Sequence, residues 1–244
     1  MINSKSSNLL TLQAVHTHIG PYHILQGVDL NVAHGQLTML LGRNGAGKST
    51  TLRTIMGLWQ ASAGELSLDG ASIKGMNTAD IALRGIGYVP ENMGIFSDLS
   101  VRENMLLAAR SGPMDPQRLE WIFGLFPALK QFWEKPAGKL SGGQKQMVAI
   151  GRAILEKRRL YMFDEPSKGL APVMINSMIA ALRELKKEGA TILLVEQNLA
   201  VAQALGDAVA VMDSGRIIHN GSMAELSRDT ELQQRLLGLS VGAH

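Results

Sequence analysis

The run LTMLL, Leu37 to Leu41, passes directly into GRNGAGKST, Gly42 to Thr50, and no other stretch restricts the fold so tightly. An almost continuous apolar run marks a strand covered on both faces, which belongs in a parallel sheet. The residues behind it match G-x-x-x-x-G-K-[ST], with Gly42, Gly47, Lys48 and Ser49 at the fixed places. A helical stretch from Lys48 to Gly57 follows. Strand, glycine loop and helix in that order make a phosphate cradle, whereas an incidental glycine turn would need neither flank. Glycines let backbone amides curve around phosphate oxygens without Cβ clashes. The helix N-terminus adds free N–H donors and a positive dipole end. Lys48 is expected to reach the β- and γ-phosphates, Ser49 to ligate Mg²⁺, and Thr50 to add a phosphate contact. Arg43, Asn44, Gly45 and Ala46 complete the loop.

The rest of the chain repeats the alternation of strand and helix. HILQGVDLNV and GIGYVP precede a helical middle; RLYMF, TILLV, AVAVM and IIHNG follow it as strands, the last two joined by a turn at DSGR. Such alternation implies an α/β fold with a mostly parallel sheet. Residues 92 to 157 are expected to form an inserted helical lobe. Ser100 and Glu103 fit a capping box opening VRENMLLAAR. Asp115 and Pro116 fit an N-cap and first helical position. Leu119, Ile122, Phe123 and Phe126 recur on one helical face. A third helix is expected from Gly142 to about Glu156.

Two further stretches carry chemistry. LYMFDEP puts Asp164 and Glu165 at a strand's carboxyl end, where ligands bind in open α/β sheets. Asp164 fits the orienter of Mg²⁺ and Glu165 the group that polarises an attacking water. LSGGQKQM begins a helix with Ser141, Gly142, Gly143 and Gln144, again a hydroxyl, bare amides and a helix N-terminus. One nucleotide does not need two such cradles from one chain. The second is expected to face the γ-phosphate of ATP held by another copy or a related subunit, although the same residues also serve plain helix capping.

Composition removes several classes. The 244 residues are 45% hydrophobic, enough for one large α/β domain. Cysteine is absent, which excludes a disulfide framework and thiolate metal sites. A net charge of +3 gives no argument for nucleic acid. The polar start MINSKSSN lacks the apolar core of a signal peptide. No apolar run reaches about 18 residues, so any membrane link is expected through a partner.

The phosphate loop, LSGGQ and the apolar-DE strand, in this order, resemble the ATP-binding subunit of an ABC transporter over residues 9–237, with LSGGQ the specific element. PSKGLAP, VEQN, YVPE, LFPALK and AIGRAI resemble the smaller ATP-binding subunit of branched-chain amino acid importers; urea and short-amide importers have very similar subunits. The resemblance implies a RecA-like P-loop ATPase core with an antiparallel β layer and an inserted helical lobe. The core covers 1–91 and 158–244, the helical subdomain 92–157. It implies ATP and Mg²⁺ as cofactors, a second ABC ATPase subunit, homologous or identical, transmembrane permease subunits, and indirectly an extracytoplasmic solute-binding protein. The subunit is then cytoplasmic, peripheral on the inner face of the membrane. A DNA-repair ATPase of the same superfamily would carry coiled coils, zinc modules or DNA-binding lobes, and a small-molecule kinase would lack LSGGQ.

Against that pattern, four positions depart. Adenine usually stacks on an aromatic residue where this chain has Ile19, with Tyr22 the nearby substitute. The lobe hinge carries Glu91 in place of glutamine, which adds a carboxylate to the nucleotide and metal set. A histidine that touches the γ-phosphate in many relatives is Gln197 here; it hydrogen-bonds but does not titrate. It therefore joins Glu165 and Lys48 as a catalytic candidate. Lys168 replaces an apolar residue after the acids; it either touches the partner subunit or is a solvated lysine.

Overall fold

The computed structural model describes residues 8–110 and 112–238; the polar start at residues 1–7 and the end of the 158–244 core segment lie outside them. Strands β1 (Asn8–Ile19) and β2 (Tyr22–Ala33) form a long hairpin, and β3 (Leu37–Leu41) runs through the glycine loop into α1 (Lys48–Ile55). Next come β4 (Ala61–Leu68), β5 (Ala71–Ser72), α2 (Thr78–Leu83) and β6 (Ile86–Val89). The helical middle holds α3 (Val101–Leu106), α4 (Pro116–Leu125), α5 (Pro127–Gln131) and α6 (Gly142–Ile154). The chain then alternates through β7 (Leu160–Asp164), α7 (Pro172–Lys187), β8 (Thr191–Glu196), α8 (Leu199–Leu205) and β9 (Ala208–Asp213). It closes with β10 (Arg216–Ser222), α9 (Met223–Arg228) and α10 (Thr230–Leu237).

Two sheets result. One is antiparallel, in the order β2-β1-β4-β5. The other, β10-β9-β3-β8-β7-β6, is parallel from β9 to β6, with β10 antiparallel at its edge. The apolar runs of β3, β7 and β8 are explained by what covers them. Leu40, Met162, Leu193 and Val195 face a core shared with α1 and the antiparallel sheet, through Leu52, Ile55, Leu10 and Leu30. Met39, Leu41, Phe163 and Leu194 face the opposite core, with Val148, Ile150, Met178 and Leu182 from the helices. With both faces dry, alternation disappears from the sequence.

The helix starts follow their local chemistry. Ser100 and Glu103 form a reciprocal capping box, and Asp115 accepts from the Gln117 N–H ahead of Pro116. Ile122 and Phe123 are buried on α4; Phe126 is buried too, but as the residue that ends the helix. Helix α3 stops at Leu106, short of the expected Arg110, whose N–H donates instead to the Glu156 carboxylate. Among the described residues no helix is long and apolar enough to cross a membrane.

Register decides what meets at the carboxyl edge of the parallel sheet. Leu41 pairs with Glu196, and Asp164 with Val195. The glycine loop after β3, the two acids ending β7 and the polar end of β8 therefore emerge side by side.

Candidate nucleotide site

Gly47 is the N-cap of α1 in a left-handed conformation (φ 109°), so the first amides of the helix point into the loop's concavity. Lys48 is 4% exposed, and its ammonium folds back on the loop, donating to the carbonyls of Gly42 (2.9 Å) and Arg43 (3.1 Å). It lies 3.3 Å from Glu165 Oε1. A cation so held is already desolvated and sits where phosphate oxygens would replace the carbonyls.

Ser49 Oγ donates to Asp164 Oδ1 at 2.8 Å, joining the start of α1 to the end of β7. The Tyr88 hydroxyl donates to the other oxygen, Oδ2, at 3.4 Å. Burial pushes the Asp164 carboxyl above its ordinary range; the Ser49 hydrogen bond opposes this, and the nearby Glu165 charge adds to it. An incoming cation would relieve that desolvated charge. A hydroxyl and a carboxylate oxygen at this spacing are the hard donors a divalent ion such as Mg²⁺ takes, with water and phosphate oxygens completing the shell.

Glu165 is 8% exposed and adopts φ 48°, a region rarely used by residues other than glycine. Its N–H donates to Val195 O at 3.0 Å, which locks it against β8. Gln197 Nε2 donates twice, to Glu165 Oε1 at 2.7 Å and to Asn44 Oδ1 at 2.6 Å. An amide nitrogen carries two hydrogens and an imidazole nitrogen at most one, so a histidine could not make both contacts from a single atom. The absent histidine is thereby a geometric substitution, linking the phosphate loop to Glu165.

Glu196 answers why a core strand ends in polar residues. It belongs to β8, is 2% exposed, and accepts from the Ser167 hydroxyl (2.8 Å) and the N–H groups of Ser167 and Gln197. It holds the loop after the acids in place. Burial raises its pKa, against the lowering effect of those donors.

The phosphate loop opens onto a cavity of about 310 Å³ lined by Asn44, Gly45, Gly47, Lys48, Ser49, Thr50, Glu91, Glu165, Lys168 and Ile24. Gly42, Arg43, Asn44 and Gln197 line an adjoining one of about 280 Å³. Ala46 is buried behind the loop. Ile19 and Tyr22 pair at the hairpin tip and do not line the first cavity; Ile24, two residues further along β2, does. Ser141, Gly142, Gly143 and Gln144 begin α6 away from both cavities. There Ser141 Oγ accepts from Gln144 N–H, and Gln144 Oε1 from Ser141 N–H, a complete capping box. Lys168 turns inward, 2.6 Å from Glu91 Oε1 and 3.7 Å from Glu165 Oε2.

Comparison with known proteins agrees with this geometry. Residues 25–168 match the family model described as ABC transporter. The chain is 37% identical to a high-affinity branched-chain amino acid transport ATP-binding protein of Pseudomonas aeruginosa, over 94% of this chain and 100% of the relative. It is 33% identical to a methionine import ATP-binding protein of Rhizobium etli, over 96% of this chain and 67% of that one. A solved dimeric bacterial ABC transporter cassette superposes with a TM-score of 0.78 at 25% identity, covering 88% of this chain and 98% of the other.

Proposed function

The chain belongs to the ABC transporter family, as an ATP-binding subunit that hydrolyses ATP to drive import, and from that premise we propose that the solute is a branched-chain amino acid. The full-length similarity to the Pseudomonas aeruginosa subunit supports that solute class. ABC cassettes work as dimers with transmembrane permeases. We further propose a solute-binding protein on the outer face, and a place for this chain on the inner face of the membrane. Purified together with its permeases and binding protein in liposomes, the complex should take up leucine, isoleucine or valine on ATP. Uptake of urea, a short amide or methionine instead would overturn the assignment.

The observation that carries the chemistry is the convergence of Lys48, Ser49, Asp164, Glu165 and Gln197 at the ends of three adjacent strands. Lys48 exchanges its loop carbonyls for the β- and γ-phosphate oxygens. Backbone amides of Gly45 to Thr50 hold the same oxygens in place. Ser49 and Asp164, with Glu91 from the cavity lining, would hold Mg²⁺, which supplies charge neutralisation on the phosphoryl oxygens. With Lys48 turned to phosphate, Glu165 keeps its aim through Gln197 and its locked backbone. It accepts the proton of the attacking water as that water moves in line on the γ-phosphate. Hydrolysis is thus a matter of position and field, with little covalent work for the protein. Ile19 or Tyr22, at the hairpin tip, flanks the adenine. Residues 92–157 form the helical subdomain, whose Ser141–Gln144 turn closes on the γ-phosphate of the second subunit's ATP.

Gln197→Ala should lower turnover about tenfold, the scale of one lost orienting hydrogen bond, and change ATP affinity by less than about twofold. Single-turnover hydrolysis beside equilibrium ATP binding separates the two. Unchanged turnover would reduce Gln197 to a polar strand end.

A further inference from the structure

Lys168 is not needed by the reaction just described, yet its ammonium contacts two of that reaction's carboxylates. It lies 2.6 Å from Glu91 Oε1 and 3.7 Å from Glu165 Oε2, inside the cavity onto which the phosphate loop opens. Glu91 follows β6, at the entrance to the helical middle, and Glu165 follows β7. The two carboxylates are 74 residues apart in sequence, and this lysine contacts both. We infer that Lys168 is a positioning residue for ATP hydrolysis, a cationic link that ties the Glu91 hinge to the second oxygen of Glu165. The inference rests on the proposed role of Glu165.

The two oxygens of Glu165 have different neighbours. Oε1 has Lys48 and Gln197; Oε2 has Lys168. When phosphate draws Lys48 away, Lys168 remains the only cation on the carboxylate among the described contacts. It also lies between two like charges, Glu91 and Glu165. Without the lysine, Glu91 and Glu165 would face a polyanionic nucleotide across one cavity and would lose a fixed distance. An exposed ion pair contributes little to folding, and Lys168 is 57% exposed. The consequence therefore falls on alignment at the reacting end, and through Glu91 on how the helical middle is held against it.

The test uses the full chain with ATP and Mg²⁺, measuring ATP dissociation constants and turnover for Lys168→Met, Lys168→Arg, Glu91→Gln and the Lys168→Met/Glu91→Gln pair. Lys168→Met should lower turnover about tenfold and weaken ATP binding by no more than about threefold, with Lys168→Arg recovering most of the loss. The double variant should be no slower than the worse single variant, because each change removes the same link. Turnover of Lys168→Met within about twofold of the parent, or a double variant whose losses multiply, would overturn the inference. Glu165→Gln run alongside separates the two levels. If it hydrolyses normally, the underlying reading has failed; if it is inactive while Lys168→Met is normal, only the lysine link has.

Discussion

Glu165→Gln is expected to lower ATP turnover about a thousandfold while ATP remains bound. The change removes a proton acceptor and the charge that faces Lys48 and Lys168, while the size of the side chain stays the same. Gln has the same shape, and its carbonyl oxygen can still accept from Gln197 Nε2, now at 2.7 Å from Glu165 Oε1, and from Lys48 at 3.3 Å. The backbone that aims the side chain is set by φ 48° and by the N–H bond to Val195 O, neither of which depends on charge. A non-glycine residue in that conformation costs on the order of 1 kcal/mol or more, and persists because the surrounding structure fixes it. Phosphate release, read beside equilibrium ATP binding and dimer formation on ATP, checks the outcome. Parental turnover would remove Glu165 from the chemistry. Loss of ATP binding would instead give it a role in holding nucleotide.

What the sequence made legible was local. The phosphate loop is nine consecutive residues, and its flanking strand and helix are read from the same window. Asp164 and Glu165 stand out because acids after four apolar residues break a pattern. The capping box at Ser100 spans four residues, and the helix cap at Ser141 is equally local. The readings that stayed open depend on contacts between distant positions. Glu196 and Ser167 are 29 residues apart, so no local pattern marks the strand-end acid as buried support for the loop after β7. Lys168 and Glu91 are 77 apart, and nothing local distinguishes a lysine turned into the cavity from one turned to water. Similarly, the register of the hairpin puts Ile24 in the cavity lining and Ile19 and Tyr22 at the tip beyond it, a placement that no local pattern gives. The two-sided burial of β3, β7 and β8 was legible as apolar runs; which residue faces which core required the register.

Gly42→Ala should abolish detectable ATP binding and destabilise the fold by about 3 kcal/mol, lowering Tm by roughly 10 °C. Gly42 leaves β3 at φ 150° and passes across the end of β9, where a Cβ would overlap the carbonyl oxygen of Met212. That atom is backbone in a paired strand, so it cannot swing aside as a flexible side chain would. Either β9 shifts or the loop lifts, and lifting it moves the Gly42 carbonyl that Lys48 holds at 2.9 Å and turns the cradle's amides off target. Gly45→Ala isolates conformational strain from this clash. Gly45 has φ 81°, so alanine is strained there too, but its Cβ would meet nothing within 4 Å. Its expected cost is about 1 kcal/mol. Thermal melting and ATP binding of both variants decide the matter: equal losses would assign the Gly42 effect to φ alone, whereas the close approach of β3 to β9 requires Gly42→Ala to be much the worse.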